Sequence, residues 1–188
     1  MRIGIMAVLV LAMGCQAQDA VFLETAAAES SVYSAVLGAA DSSNATIVVS
    51  RQTRNFVVGD TDAHRQAAFR SVPELWEDTV TSFERRNSAP VDLGNLVLAR
   101  NVVLMDEEEL AAGFVENVRQ GWKDFHERFP QYGQIVMLSR VGFSKDGRQA
   151  LVYCHRSVGP TEGIGYLVLL QRTDDKWRVL REVPIEMS

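Results

Sequence analysis

The chain has 188 residues, of which 47% are hydrophobic and 23% charged, with 24 acidic against 19 basic side chains and two cysteines. That length and apolar content suffice for one domain with a sizeable core. A mildly acidic chain with no basic tract excludes nucleic acid as the main partner, and no repeat, low-complexity tract or charge block marks a second folded domain.

At the amino terminus Arg2 precedes an uncharged apolar run from Ile3 to Met13. The run has the length of a signal-peptide core and falls short of the roughly 20 apolar residues that a membrane-spanning helix needs. Gly14-Cys15-Gln16-Ala17-Gln18 follows at once. Leu11-Ala12-Met13-Gly14-Cys15 resembles the lipobox of bacterial lipoproteins, in which the cysteine is acylated and the chain is cut just before it; that family prefers Leu where Ala12 stands. The resemblance implies a signal peptide over 1–14, lipid attachment at Cys15, and an anchor and linker over 15–23 ahead of a domain over 24–188. With Gln16 rather than Asp after the cysteine, it also implies an outer-membrane lipoprotein facing the periplasm or the surface. The alternative is ordinary secretion, with cleavage after Ala17 or Ala20 and a soluble secreted or periplasmic product. If Cys15 carries lipid, Cys154 has no disulfide mate, so the fold must rest on its apolar core.

Glu24 to Ala40 is helix-like, with Tyr33, Val36, Leu37 and Ala40 spaced for one apolar stripe. Asp41-Ser42-Ser43-Asn44 breaks it, Thr46 to Ser50 reads as a buried strand, and the polar residues 52–64 read as an exposed loop. A second helix is expected to start near Pro73, with Trp76, Val80 and Phe83 on its core face and a stop at Asn87 to Pro90. Leu96 to Leu104 is β-like. Asp106 and Glu109 have capping-box spacing for the next helix, which carries Leu110, Phe114, Val115 and Val118 inward. Gly121 is expected to bend or break that helix before a further turn through Trp122, Phe125 and Phe129.

The last third reads as a four-stranded antiparallel meander. Gln134 to Phe143 is the first strand, and Lys145-Asp146-Gly147 supplies a hairpin turn. Arg148 to Arg156 follows, then a looser connection from Ser157 to Gly163. Tyr166 to Arg172 is the third strand, and Lys176 to Met187 is the fourth, after a turn at Thr173 to Asp175. In the fourth strand Trp177, Val179, Val183 and Ile185 alternate with Lys176, Arg178, Glu182 and Pro184, which predicts one buried and one wet face. Pro184 cannot donate to a ladder and so marks an edge. Amino-terminal helices packed on this meander make the class α+β.

Phe125-x-x-x-Phe129-Pro130, Leu138-Ser139-Arg140-Val141-Gly142-Phe143, Gln149-Ala150-Leu151-Val152-Tyr153, Gly165-Tyr166-x-x-Leu169-Leu170 and Asp175-Lys176-Trp177 together resemble a group of exported bacterial proteins. The helix end from Phe83 to Asn87 and an amino-terminal Tyr-x-x-x-Leu helix are similar as well. The likeness covers most of the mature chain and implies no activity. Many of the group place a Cys-Gly-x-x-Cys-Gly-like segment where this chain has Val158-Gly159-Pro160-Thr161-Glu162-Gly163, so a thiol-pair role is not implied for this copy. A weaker likeness, to cone-shaped folds such as the nuclear-transport-factor-2-like superfamily, implies a curved sheet and assigns no function.

The candidate chemistries are thin. Cys154 and His155 are strand neighbours and point to opposite faces, so they cannot act as nucleophile and base together. Asp60, Asp62 and His64 alternate as metal ligands sometimes do, but without a matching His or Cys cluster they read as solvated turn residues. Gly159, Gly163 and Gly165 lack the helix and Lys-Ser/Thr pair of a phosphate cradle and read as turn and bulge glycines. No cofactor is expected. The residues favour a non-catalytic binding or structural domain whose partner is an envelope protein, a glycan or a small ligand. The alternative is a hydrolase or transferase assembled from His126, His155 and dispersed carboxylates. Whatever binding the domain does is placed at the Ser157–Gly163 end of the sheet, through Tyr153, His155 and Glu162, because loops held by a rigid sheet are where binding residues concentrate; the alternative is an idle loop.

Overall fold

The computed structural model describes residues 13–40, 46–55, 62–96, 98, 101–112, 114 and 117–187. The expected signal-peptide core before residue 13, the expected helix break at Asp41 to Asn44, Asp60 and Val115 lie outside them. Along the chain run α1 (Met13–Ala40), β1 (Thr46–Ser50), α2 (Asp62–Arg70), α3 (Glu77–Arg86), β2 (Val102–Met105), α4 (Glu107–Ala112), α5 (Val118–Arg128), β3 (Tyr132–Leu138), β4 (Gly142–Phe143), β5 (Gln149–Ser157), β6 (Gly163–Thr173) and β7 (Lys176–Met187). The class is α+β. The strands form one seven-stranded sheet in the order β2-β1-β3-β5-β6-β7, with β4 pairing β5 beside that path. β3, β5, β6 and β7 pair antiparallel in that order, but the expected four-stranded meander is not matched exactly: its first strand is split and the sheet has seven strands. β1 joins β3 in parallel and β2 joins β1 in parallel.

Alternation along the strands sorts the core into two sides. On one side α1 lays Val32, Tyr33, Val36 and Leu37 against Ile47, Val49, Val136, Leu138, Val152, Cys154, Val168 and Leu170. The other side is covered in two parts. α2 and α3 pack Phe69 and Phe83 on Leu151, Tyr153, Leu167 and Leu169, while α4 and α5 pack Leu110, Trp122 and Phe125 on Val48 and Ile135. The α1 layer is fixed by charge as well as by apolar contact. Glu29 of α1, only 6% exposed, receives Arg86 of α3 at 2.5 Å and Arg140 at 3.1 Å, and the Tyr33 hydroxyl donates to the Ser139 carbonyl at 2.9 Å.

Several expected boundaries move, each for a visible reason. The single strand from Gln134 to Phe143 is split, because the Arg140 backbone N–H and carbonyl both bond to the Asn87 side chain instead of to a ladder. The helix expected at Pro73 begins at Glu77. Gln149 accepts from the Trp76 N–H and donates to the Glu74 carbonyl, holding that segment outside the helix; Trp76 is left 41% exposed rather than in the core. The last three residues of the expected 52–64 loop, 62–64, already belong to α2. Gly121 sits inside α5 rather than breaking a helix, and the interruption falls before Asn117, whose side chain caps α5 by accepting from the Arg119 and Gln120 N–H groups. Gly147, at φ +67°, supplies the β4–β5 turn as expected.

The alternation read into the last strand also fails at one point. Leu169 pairs with Arg181 and Leu170 with Val179, so Leu180 is an extra residue, a β-bulge. Ahead of it Trp177 and Val179 face the α1 side; beyond it Val183 and Ile185 face the α2–α3 side. The four apolar residues therefore do not share one buried face. β7 lies at the edge of the sheet.

Candidate functional site

Strand β5 carries most of the suspected chemistry and divides it between its two faces. Cys154 points into the α1-side core with no exposure, and burial pushes its thiol up to about 11. It is a free cysteine. Tyr153 and His155 point to the opposite side, and both are buried. Cys154 and His155 therefore have no common surface on which to react.

The Tyr153 side contains a polar cluster built from four strands and connections. Gly165 of β6 lies opposite His155, and a Cβ placed there would come within 2.6 Å of the Tyr153 hydroxyl oxygen. The missing side chain lets the phenol cross β6. On β7, Gly165 pairs with Glu186 and Tyr166 with Pro184, which makes Ile185 a second bulge residue. That bulge turns Glu186 onto the phenol's side, where the Tyr153 hydroxyl donates to its Oε2 at 2.5 Å. Arg54, which follows β1, places its guanidinium 5.9 Å from the Tyr153 ring centroid and 3.5 Å from Glu186 Oε1. Burial, first, and the bond to Glu186, second, hold the Tyr153 phenol above its ordinary range. His155 stands in the same cluster, with Nδ1 3.3 Å from the Ser157 hydroxyl. Burial and then the Arg54 charge hold its imidazole below the ordinary value, with Glu186 acting the other way.

Glu162 is not part of this cluster. It is exposed in the β5–β6 connection and lines a groove of about 460 Å³ on the α1 side of the sheet, with Val158, Ile164, Tyr166, Arg156 and Met187. Val158 and Met187 are exposed there, at 46% and 84%. Arg156 forms a double hydrogen bond to Glu182 and lies 5.0 Å over the Tyr166 ring. Two larger hollows, on either side of the Phe143–Lys145 segment, are walled by charged side chains including Glu77, Asp78, Arg85, Arg172 and Asp175. The structure thus brings Tyr153 and His155 together and sets Glu162 on the other face. Sequence reasoning missed Arg54 and Glu186 because only strand pairing and a bulge bring them to Tyr153.

Of the alternating Asp60, Asp62 and His64, the last two fall in the first turn of α2. Among the described residues no group of three or more His, Cys, Asp or Glu side chains could hold a metal ion, and no helix is long and apolar enough to cross a membrane. His126 rests its ring against Trp122 of its own helix, 5.5 Å between centroids. Compared with protein-family models, curated proteins and solved structures, the chain matches none of them.

Proposed function

We propose that this is an exported envelope protein, lipid-anchored through Cys15 at the outer membrane and facing the periplasm or the surface, whose domain binds a partner rather than catalysing a reaction. The observation that carries the binding half is the groove beside Glu162. An apolar wall of Val158, Ile164 and Met187 stands open beside the Arg156–Glu182 ion pair. Exposed apolar surface rimmed by fixed polar groups is the usual form of a site for another macromolecule. We take the occupant to be an apolar segment of another envelope protein. We also take the sheet to curve at this end into the cone-like form suggested above, since bulges bend the strand that carries them.

The anchor is tested by labelled palmitate, which should enter the protein and be lost in Cys15→Ala; a mature chain that begins at Gln18 or Val21 would refute it. The groove is tested by a photo-crosslinking residue placed at Val158 in intact envelopes. Adducts should form from Val158 and not from the exposed Arg119 of α5. Equal adducts from both positions would refute the groove.

A further inference from the structure

We infer that the Arg54–Glu186 pair is a second binding site, on the face opposite the groove, for a small zwitterion of the α-amino acid class, with Arg54 taking the carboxylate and Glu186 the ammonium group. The pair differs from an ordinary surface ion pair in how it is built. Glu186 reaches this face only through the Ile185 bulge. Its Oε2 is held by the buried Tyr153 hydroxyl at 2.5 Å, and that bond exists only because Gly165 leaves room for the phenol. Arg54 is laid over the same ring. Exposed salt bridges need none of this, and they contribute little to stability when formed. Holding two charges on a buried aromatic floor is the preorganisation that lowers the cost of binding.

The pair is also open. Its contact is 3.5 Å, against 2.7 Å for Arg156–Glu182 and 2.5 Å for Arg86–Glu29. The side chains of Arg54 and Glu186 are 41% and 38% exposed. Glu186 Oε1 and the guanidinium therefore touch each other loosely and both reach solvent, so a ligand with two charges enters by displacing their mutual contact. Charge decides what enters. A simple anion attracted by Arg54 meets the Glu186 carboxylate beside it, and a simple cation attracted by Glu186 meets the guanidinium. A ligand with both charges a few ångströms apart satisfies both partners and replaces the weak contact with two charge-assisted bonds. His155, held toward its neutral form beneath the pair, adds no third charge.

The test is calorimetry on the full-length protein in detergent micelles, with the standard amino acids titrated one at a time and acetate and methylammonium as single-charge probes. At least one amino acid should bind about tenfold or more tightly than either single-charge probe. Arg54→Gln and Glu186→Gln should each weaken that binding by about tenfold or more. Glu186→Gln keeps an acceptor for the Tyr153 hydroxyl, so its loss is read in a folded chain. Tyr153→Phe should weaken binding several-fold by releasing Glu186. No amino acid binding better than the two probes, or binding retained in both Gln variants, overturns the inference. Neither result bears on the anchor or on the groove, which occupy other parts of the molecule.

Discussion

Gly142→Ala should be among the most damaging single-methyl changes in this protein. A Cβ at Gly142 would come within 2.4 Å of Phe83 Cβ and 2.6 Å of both the Cα and the N of Phe83. Ordinary contact begins near 3.4 Å, so α3 and β4 must separate by about 1 Å, and the obstacle is helix backbone that no rotamer change can clear. Separation is resisted all along the helix. Asp78 accepts from the Lys145 N–H at 2.9 Å, Ser82 accepts from the Phe143 N–H at 3.2 Å, and Asn87 bonds to both the N–H and the carbonyl of Arg140. Weakening two or three of these costs about 1 kcal/mol each, more for the carboxylate, on top of about 1–3 kcal/mol of overpacking. The expected loss is roughly 3–5 kcal/mol by urea unfolding. Gly38→Ala on the α1 surface, where nothing lies within 4 Å, is the matched control and should stabilise by up to about 1 kcal/mol. A Gly142→Ala protein within about 1 kcal/mol of the parent would show that the contact between α3 and β4 is not rigid.

Two further outcomes follow. Cys154, fully buried with its thiolate disfavoured, should react with a thiol reagent at pH 8 at least about 100-fold faster in urea than in the native protein; prompt stoichiometric labelling of the folded chain would contradict its placement. Because His155 is held below its ordinary value near 6.5 by burial and by Arg54, against Glu186, the unfolded chain takes up its proton at higher pH than the folded one. Stability contributed by neutral His155 is full above about pH 6.5 and lost as pH falls from there toward the lower folded value. His155→Gln should flatten that slope in unfolding measured between about pH 7.5 and 5.5, and an unchanged slope would remove His155 as its source.

The local patterns in the sequence are legible where a segment's partners lie nearby. The α1 stripe of Tyr33, Val36 and Leu37, the strand at Thr46 to Ser50, the turn at Gly147 and the hairpins of the last third all follow from periodicity and turn residues. What could not be read depends on distant pairing. That β1 and β2 join the sheet in parallel is decided by β3, more than eighty residues after β1. The Leu180 bulge exchanges the faces of Val183 and Ile185 without altering the period-two pattern in the sequence. The start of α3 is set by Gln149, a side chain from another strand. At the candidate site, Tyr153 and His155 are visible as neighbours on one strand face, whereas Glu162 is linked to them by loop proximity alone, and Arg54 and Glu186 have no local signal.

The two irregularities of β7 also limit the sheet itself. Among the described residues β7 has no partner on one side, and a twelve-residue strand is long enough to template another chain. Here the pairing side is interrupted at Leu180 and again at Ile185, and Pro184 between them offers no N–H. A straight incoming strand would lose register twice over that length, and a second copy of β7 would have to present its own bulges in opposition. The same irregularity that turns Glu186 toward Tyr153 thus makes the outer strand a poor seed for edge-on growth of the sheet.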